Sequence, residues 1–163
     1  MILNHQDKYL VHASRLEVYV GKLGRALGLG RRECNVCLVD DRQIRRLNSL
    51  YRGKRRATDV LSFPWDAEQR RRRPRTRSRP ARPQYACRSI SECAALEFKN
   101  FLGDIVISVE TAKRNARQER HSTLNEIRWL ILHGFLHLLG YDHESDQGEM
   151  AKLELALRRR LGI

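Results

Sequence analysis

Three of the six histidines in this chain fall within eleven residues, in the run His133-Gly-Phe-Leu-His137-Leu-Leu-Gly140-Tyr-Asp-His143. No other feature restricts the fold as much. Histidines four apart act together only on a helix, where both imidazoles leave one face with Cβ atoms about 5–6 Å apart. From there two ring nitrogens reach one ion at about 2.0–2.1 Å each. Gly140 supplies the left-handed backbone that ends a helix, and the returning chain brings His143 towards the same ion. Three neutral imidazoles select zinc or a similar borderline metal and leave a fourth position for water, which marks a catalytic site rather than a structural one. One Zn2+ per chain on His133, His137 and His143 is therefore expected, on a C-terminal helix and the turn that follows it.

The same spacing serves metzincin proteases, but those enzymes carry a glutamate directly after the first histidine as general base. Here that position is Gly134, which neither takes nor gives a proton. The frame is protease-like and its base is missing, which weighs against a peptidase.

Hydrophobic periodicity places the remaining elements. Met1 to Asn4 reads as a short edge strand. Leu16, Val20, Leu23 and Leu27 repeat at helical spacing within about 9–29, before Gly28 and Gly30. Glu33 to Val39 reads as a buried strand, and Asp40 and Asp41 as N-caps of a helix with Ile44, Leu47 and Tyr51 on one face. Thr58 to Phe63 is a second core strand stopped by Pro64, and Gly103 to Ser108 a third. Three helices close the chain, over about 109–120, 123–139 and 146–161. The last carries the apolar stripe Met150, Leu153, Leu157, Leu161 and a capping box formed by Asp146 with Glu149. The sum is one α+β domain, a small mixed β-sheet packed against several helices.

One stretch departs from this order. Between Gln69 and Pro83 lie eight arginines and no acid. With almost nothing to bury, an Arg/Pro-rich insert at about 69–100 is expected to be disordered in its first half, with a short helix around Ser91 to Lys99 in its second. Lysine plus arginine number 32 against 19 acids, a net charge of +13. The insert's arginines account for eight of those charges, so the rest of the chain is only mildly basic. The excess still favours a polyanionic partner such as nucleic acid. Neither a secretory signal nor an apolar run long enough to span a bilayer is present, so a cytoplasmic protein without a membrane partner is expected. Cys34 and Cys37 have the spacing of a redox motif or half a zinc ribbon, but Cys87 and Cys93 do not supply the matching pair, and the first two read as small apolar residues of a strand. His5, His12 and His121 show no ligand spacing and are expected at the surface or in packing.

The segment His133 to His143 closely resembles the H-G-x-L-H-L-x-G-x-D-H signature of the YbeY family of bacterial endoribonucleases. Leu47-Asn48 with Tyr51-Arg52, Thr58-Asp59-Val60-Leu61-Ser62-Phe63-Pro64 and Leu102-Gly103-Asp104-Ile105 resemble that family's other blocks, in the same order. The resemblance covers nearly the whole chain apart from the insert. It implies a zinc metalloprotein that cuts single-stranded RNA in maturation of the rRNA precursor (the 16S 3′ end) and in quality control of the small ribosomal subunit, in company with assembly factors and with no small-molecule cofactor. It also implies that Arg52 lies in the cleft as a catalytic, phosphate-holding residue, a task suited to a planar fork of donors, against the alternative of a helix cap or ion pair. Ser62 lines the cleft on the same reading, or forms a buried hydrogen bond. Asp59 and Asp104 would orient ligand histidines or cap turns. The zinc-bound water, or an RNA 2′-hydroxyl it deprotonates, would attack phosphorus, with no side-chain general base assigned.

Two departures stand out. Arg55, Arg56 and Ala57 fill a stretch where the family usually has an acid or Asn and then Pro. The insert replaces a shorter, often acidic connection, and serves either as an RNA-binding arm or as a tolerated insertion. A different class of function also fits the basic charge and the histidines: a zinc-containing ribosome assembly factor that binds rRNA with little catalysis of its own.

Overall fold

The computed structural model describes residues 1–65, 100–141 and 148–163. Several expectations lie outside these residues: the insert and its helix around Ser91, Cys87 and Cys93, the third histidine His143, and Asp146 of the capping box. The described chain forms strands β1 (Ile2–Asn4), β2 (Glu33–Val39), β3 (Val60–Pro64) and β4 (Phe101–Ser108). Its helices are α1 (Ala13–Ala26), α2 (Asp41–Arg52), α3 (Val109–Gln118), α4 (Thr123–Leu138) and α5 (Glu149–Leu161). The sheet runs β1-β2-β4-β3, with β1 and β4 parallel to β2 and β3 antiparallel to β4. This is the expected α+β domain with a mixed sheet.

Alternation along the strands divides the core. Val36, Leu38, Ile105 and Ile107 face one side, where α1, α4 and α5 bury Leu16, Leu23, Ile131, Leu132, Phe135 and Met150. Cys37, Val39 and Val106 face the other, where α2 lays down Ile44 and Leu47 beside Leu61 of β3. Cys34 and Cys37 are buried, and burial pushes the Cys34 thiol up to about 12, which keeps it protonated and unreactive. They are packing residues.

Four element starts differ from the expectation by two residues or more, each for a local reason. Strand β3 begins at Val60 and not at Thr58, because Asp59 caps the turn before it. Helix α1 begins at Ala13 and not near Tyr9, because the buried Gln6 side chain clamps Tyr9 in a non-helical turn. Gln6 accepts from the Tyr9 N–H at 2.9 Å and donates to its carbonyl at 2.8 Å. Helix α5 begins at Glu149 on a left-handed Gly148 (φ 87°), with no side-chain cap. Strand β4 begins two residues before Gly103, because Phe101 pairs with Glu33 across an irregularity in the β2 register.

The start of α2 follows the expected pattern. Asp40 accepts from the Gln43 N–H at 2.7 Å, while Gln43 accepts from the Asp40 N–H at 3.1 Å, a complete capping box. Asp41 serves another purpose. Its carboxylate accepts from Ser108 Oγ at 2.5 Å, Thr111 Oγ1 at 2.7 Å and Arg114 at 2.8 Å, and its own N–H donates to Glu110 at 2.8 Å. These bonds tie the first turn of α2 to the first turn of α3.

Burial opposes ionisation of Asp41, but the Ser108, Arg114 and Thr111 hydrogen bonds outweigh it and hold the carboxyl below its ordinary value. A depressed folded pKa contributes stability that is complete above the unfolded value, about 3.9, and lost as pH falls through the folded one. Asp41→Asn is expected to lower stability by about 1 kcal/mol at pH 7 and to flatten the acid limb of stability against pH. Denaturant unfolding of both proteins from pH 3 to 7 checks this; an unchanged acid limb contradicts it.

Candidate metal centre and cleft

Helix α4 is apolar on nearly every side, with Ile127, Leu130, Ile131, Leu132, Phe135, Leu136 and Leu138 all buried, so it runs through the core rather than over it. Ser122 caps its start, accepting from the Asn125 N–H at 3.1 Å. Its approach to the sheet depends on Gly134. A Cβ there would stand 2.7 Å from Ile105 Cγ2 on β4 and 3.1 Å from Ser62 Oγ on β3. The position where a metzincin carries its glutamate therefore has no room even for a methyl group, which strengthens the case against that chemistry.

The close approach turns His133 and His137 towards β3. Their Nε2 atoms lie 3.1 Å apart, with the ring planes at 79°. The other nitrogen of each ring is held. Helix α4 is capped by Leu139 in a Schellman turn: Gly140 (φ 94°) donates to the His137 carbonyl and Tyr141 to the Leu136 carbonyl, each at 3.0 Å. This carries the Tyr141 carbonyl back over the helix, 2.9 Å from His137 Nδ1. A carbonyl only accepts, so the proton of His137 resides on Nδ1 and Nε2 presents a lone pair. His133 Nδ1 lies 3.4 Å from Glu154 Oε2, which assigns the same tautomer.

Two lone pairs aimed at each other require a cation or a proton between them. Two ligands of a tetrahedral zinc ion stand roughly 3.3–3.4 Å apart, close to the spacing found. The donor set therefore fits a metal of that class. Among the described residues no group of three His, Cys, Asp or Glu side chains closes on one point, and the third expected ligand, His143, lies outside them.

The histidines open into a cleft of about 680 Å³ whose opposite wall is edge strand β3. Arg52, at the C-terminus of α2, and Ser62, in the middle of β3, both line it, as do Tyr51, Thr58, Asp59 and Tyr141. Tyr51 shares a face of α2 with Ile44 and Leu47; it is 38% exposed, with its ring edge-on to Phe63 at 5.0 Å. That contact seats the end of α2, and Arg52 with it, against β3. The buried Asn48 fixes the loop that follows: its carbonyl accepts from Gly53 and Lys54, and its Nδ2 donates to the Arg56 carbonyl at 2.8 Å.

The two aspartates serve their own segments. Asp59 accepts from the Val60 N–H at 2.8 Å and from Thr58 Oγ1 at 3.0 Å, the turn-capping role. Asp104 accepts from Asn35 at 3.0 Å across the β2–β4 ladder, where burial raises its pKa. The carboxylate found against a site histidine is Glu154. Residues 150, 154, 157 and 161 form one face of α5, so an acid in that apolar row was the signal available in the sequence. Burial pushes Glu154 up, but the His133 hydrogen bond and the Arg158 guanidinium outweigh it and hold the carboxyl below its ordinary value. Of the other histidines, His5 and His12 are exposed, and His121 packs on Trp129 at 4.2 Å and meets Glu126 at 3.0 Å.

Fold and site together define a small α+β protein in which a core helix turns two imidazoles, one helical turn apart, into an arginine-bearing cleft. The chain belongs to the endoribonuclease YbeY family, whose model matches residues 3–162. It is 41% identical to the endoribonuclease YbeY of Nautilia profundicola over 81% of this chain and 74% of that one. To the Aquifex aeolicus endoribonuclease YbeY it is 37% identical, over 93% and 83%. The solution structure of TM1509 from Thermotoga maritima is similar at a TM-score of 0.59 and 26% identity, covering 99% of this chain and 89% of that one.

Alanine favours helix over glycine by about 1 kcal/mol, yet the crowding at position 134 is expected to reverse that preference. Gly134→Ala should cost about 1–3 kcal/mol of stability, as overpacking does. Denaturant unfolding measures it, and a stabilised variant would contradict the packing described for α4.

Proposed function

We propose that the protein is a zinc-dependent endoribonuclease that cuts single-stranded RNA, acting in the cytoplasm on the rRNA precursor of the small ribosomal subunit at the 16S 3′ end, in company with assembly factors. The observation that carries this reading is the convergence of His133 and His137, each with Nδ1 held and Nε2 turned to its partner at the cleft. His143 is the proposed third ligand. Membership of an endoribonuclease family supports the reaction class, and charge supports the substrate. Arg42, Arg45 and Arg46 on α2, and Lys54, Arg55 and Arg56 in the loop after Arg52, are exposed. Among the described residues no helix is long and apolar enough to cross a membrane.

When bound, zinc supplies Lewis-acid polarisation and a water acidified towards neutrality. The chain's own residues do the positioning. Arg52 holds a non-bridging phosphate oxygen through its guanidinium fork and offsets charge that grows as phosphorus is attacked. Strand β3 is a rigid wall against which the RNA backbone lies, with Ser62 as a hydroxyl partner. The Tyr141 carbonyl and Glu154 keep the histidine protons on Nδ1, so both Nε2 atoms remain available as ligands.

Cleavage of a single-stranded rRNA fragment by the purified protein tests the reading. Activity is expected in the wild type, to be removed by chelator and restored by zinc, and to fall to background in His137→Ala. Arg52→Ala should lower kcat/KM by about 10–100-fold, the value of a hydrogen bond to a charged group. A folded wild type loaded with zinc that leaves RNA intact would overturn the nuclease reading in favour of an assembly factor that only binds. The fragments' ends separate two attacks: a 2′,3′-cyclic phosphate marks the ribose hydroxyl as nucleophile, whereas a 3′-hydroxyl beside a 5′-phosphate marks water.

A further inference from the structure

Helices α4 and α5 are joined by two polar rungs. Trp129 and His133 lie one turn apart on α4, and Glu154 and Arg158 one turn apart on α5. In the lower rung the Arg158 guanidinium stacks over the Trp129 ring at 4.3 Å. In the upper rung Glu154 Oε2 faces His133 Nδ1 at 3.4 Å. The rungs are linked because Arg158 also donates to the other oxygen of Glu154.

Packing does not account for this acid. Glu154 is 8% exposed and shares a helix face with Met150 and Leu157, where an apolar residue of similar volume would complete the row. A buried carboxylate costs desolvation that an apolar side chain avoids, so an acid in this row calls for partners that offset the cost. One oxygen of Glu154 is held by Arg158, itself braced on Trp129, and the other meets the back of a histidine whose front faces the cleft.

We infer that Glu154 is a positioning residue for the metal centre, acting through His133, with Arg158 and Trp129 as its brace. It fixes the His133 proton on Nδ1, sets the ring's rotation so that Nε2 meets that of His137, and makes the imidazole a stronger donor. His137 receives the equivalent constraint from the Tyr141 carbonyl. One histidine is thus oriented by a backbone acceptor in its own turn and the other by a charged acceptor on a separate helix. The inference rests on the metal reading of the two histidines.

Its test is zinc affinity, measured by competition with a chromogenic chelator on the full chain, beside thermal unfolding of the metal-free proteins. The wild type should bind zinc and His137→Ala should lose it. Glu154→Met keeps side-chain volume and should weaken zinc by about 10–100-fold, the usual effect of losing such a partner, in a protein that still unfolds cooperatively but at a lower metal-free temperature because Arg158 loses its carboxylate. Glu154→Gln, whose amide oxygen still accepts from Nδ1, should recover most of that loss. Wild-type affinity in Glu154→Met, or a loss in Glu154→Gln as large as in Glu154→Met, overturns the inference and leaves the metal reading standing. A wild type that binds no zinc overturns both.

Discussion

The contact between α4 and the sheet at Gly134 is the constraint on which the rest of the site depends. Glycine lets the helix backbone approach Ile105 and Ser62 more closely than any side chain allows. The residues on either side of that contact, His133 and His137, consequently face the cleft instead of the hydrocarbon around Ile131 and Phe135. The cost is a weak helix former inside a core helix, offset by burial along nearly the whole length of α4. Edge strand β3 then becomes the opposite wall, and Arg52 reaches the same space because Tyr51 packs on Phe63.

From that contact outward, each histidine is oriented by something behind it. The Schellman turn at Gly140 does two things at once: it ends α4, and it returns the Tyr141 carbonyl to His137. The glycine that closes the helix therefore also sets a tautomer. At His133 the same task falls to a carboxylate on α5, a helix distant in sequence, so docking of the C-terminal helix and geometry of the centre are coupled. An assembly that needs both the turn and the docked helix forms only in the folded chain, which is how metal sites of this kind become linked to folding.

Much of this was legible before the structure, for physical reasons that differ by element. Strands β2 and β3 announced themselves through β-rich runs, the second ending on Pro64, and the Asp40-Asp41 pair marked the start of α2 to within a residue. The histidine pair was legible because a four-residue spacing on a helix has one geometric meaning. The start of α1 was not, because Gln6 holds Tyr9 outside the helix through a side-chain clamp that no periodicity encodes. Asp59 and Asp104 stand in recognisable motifs, yet their carboxylates are taken by Val60, Thr58 and Asn35. Glu154, which does meet a histidine, lies in a plain apolar stripe, and its importance comes from a tertiary contact twenty-one residues away in sequence.

The account's central claim is that this geometry exists to hold a metal ion. Elemental analysis of the purified protein tests it most directly, with wild type set beside His137→Ala and His143→Ala. About one zinc per chain in the wild type, lost in both variants while their circular dichroism stays native, is the predicted result. A folded wild type carrying no metal, or a His143→Ala protein that keeps its full complement, would contradict it.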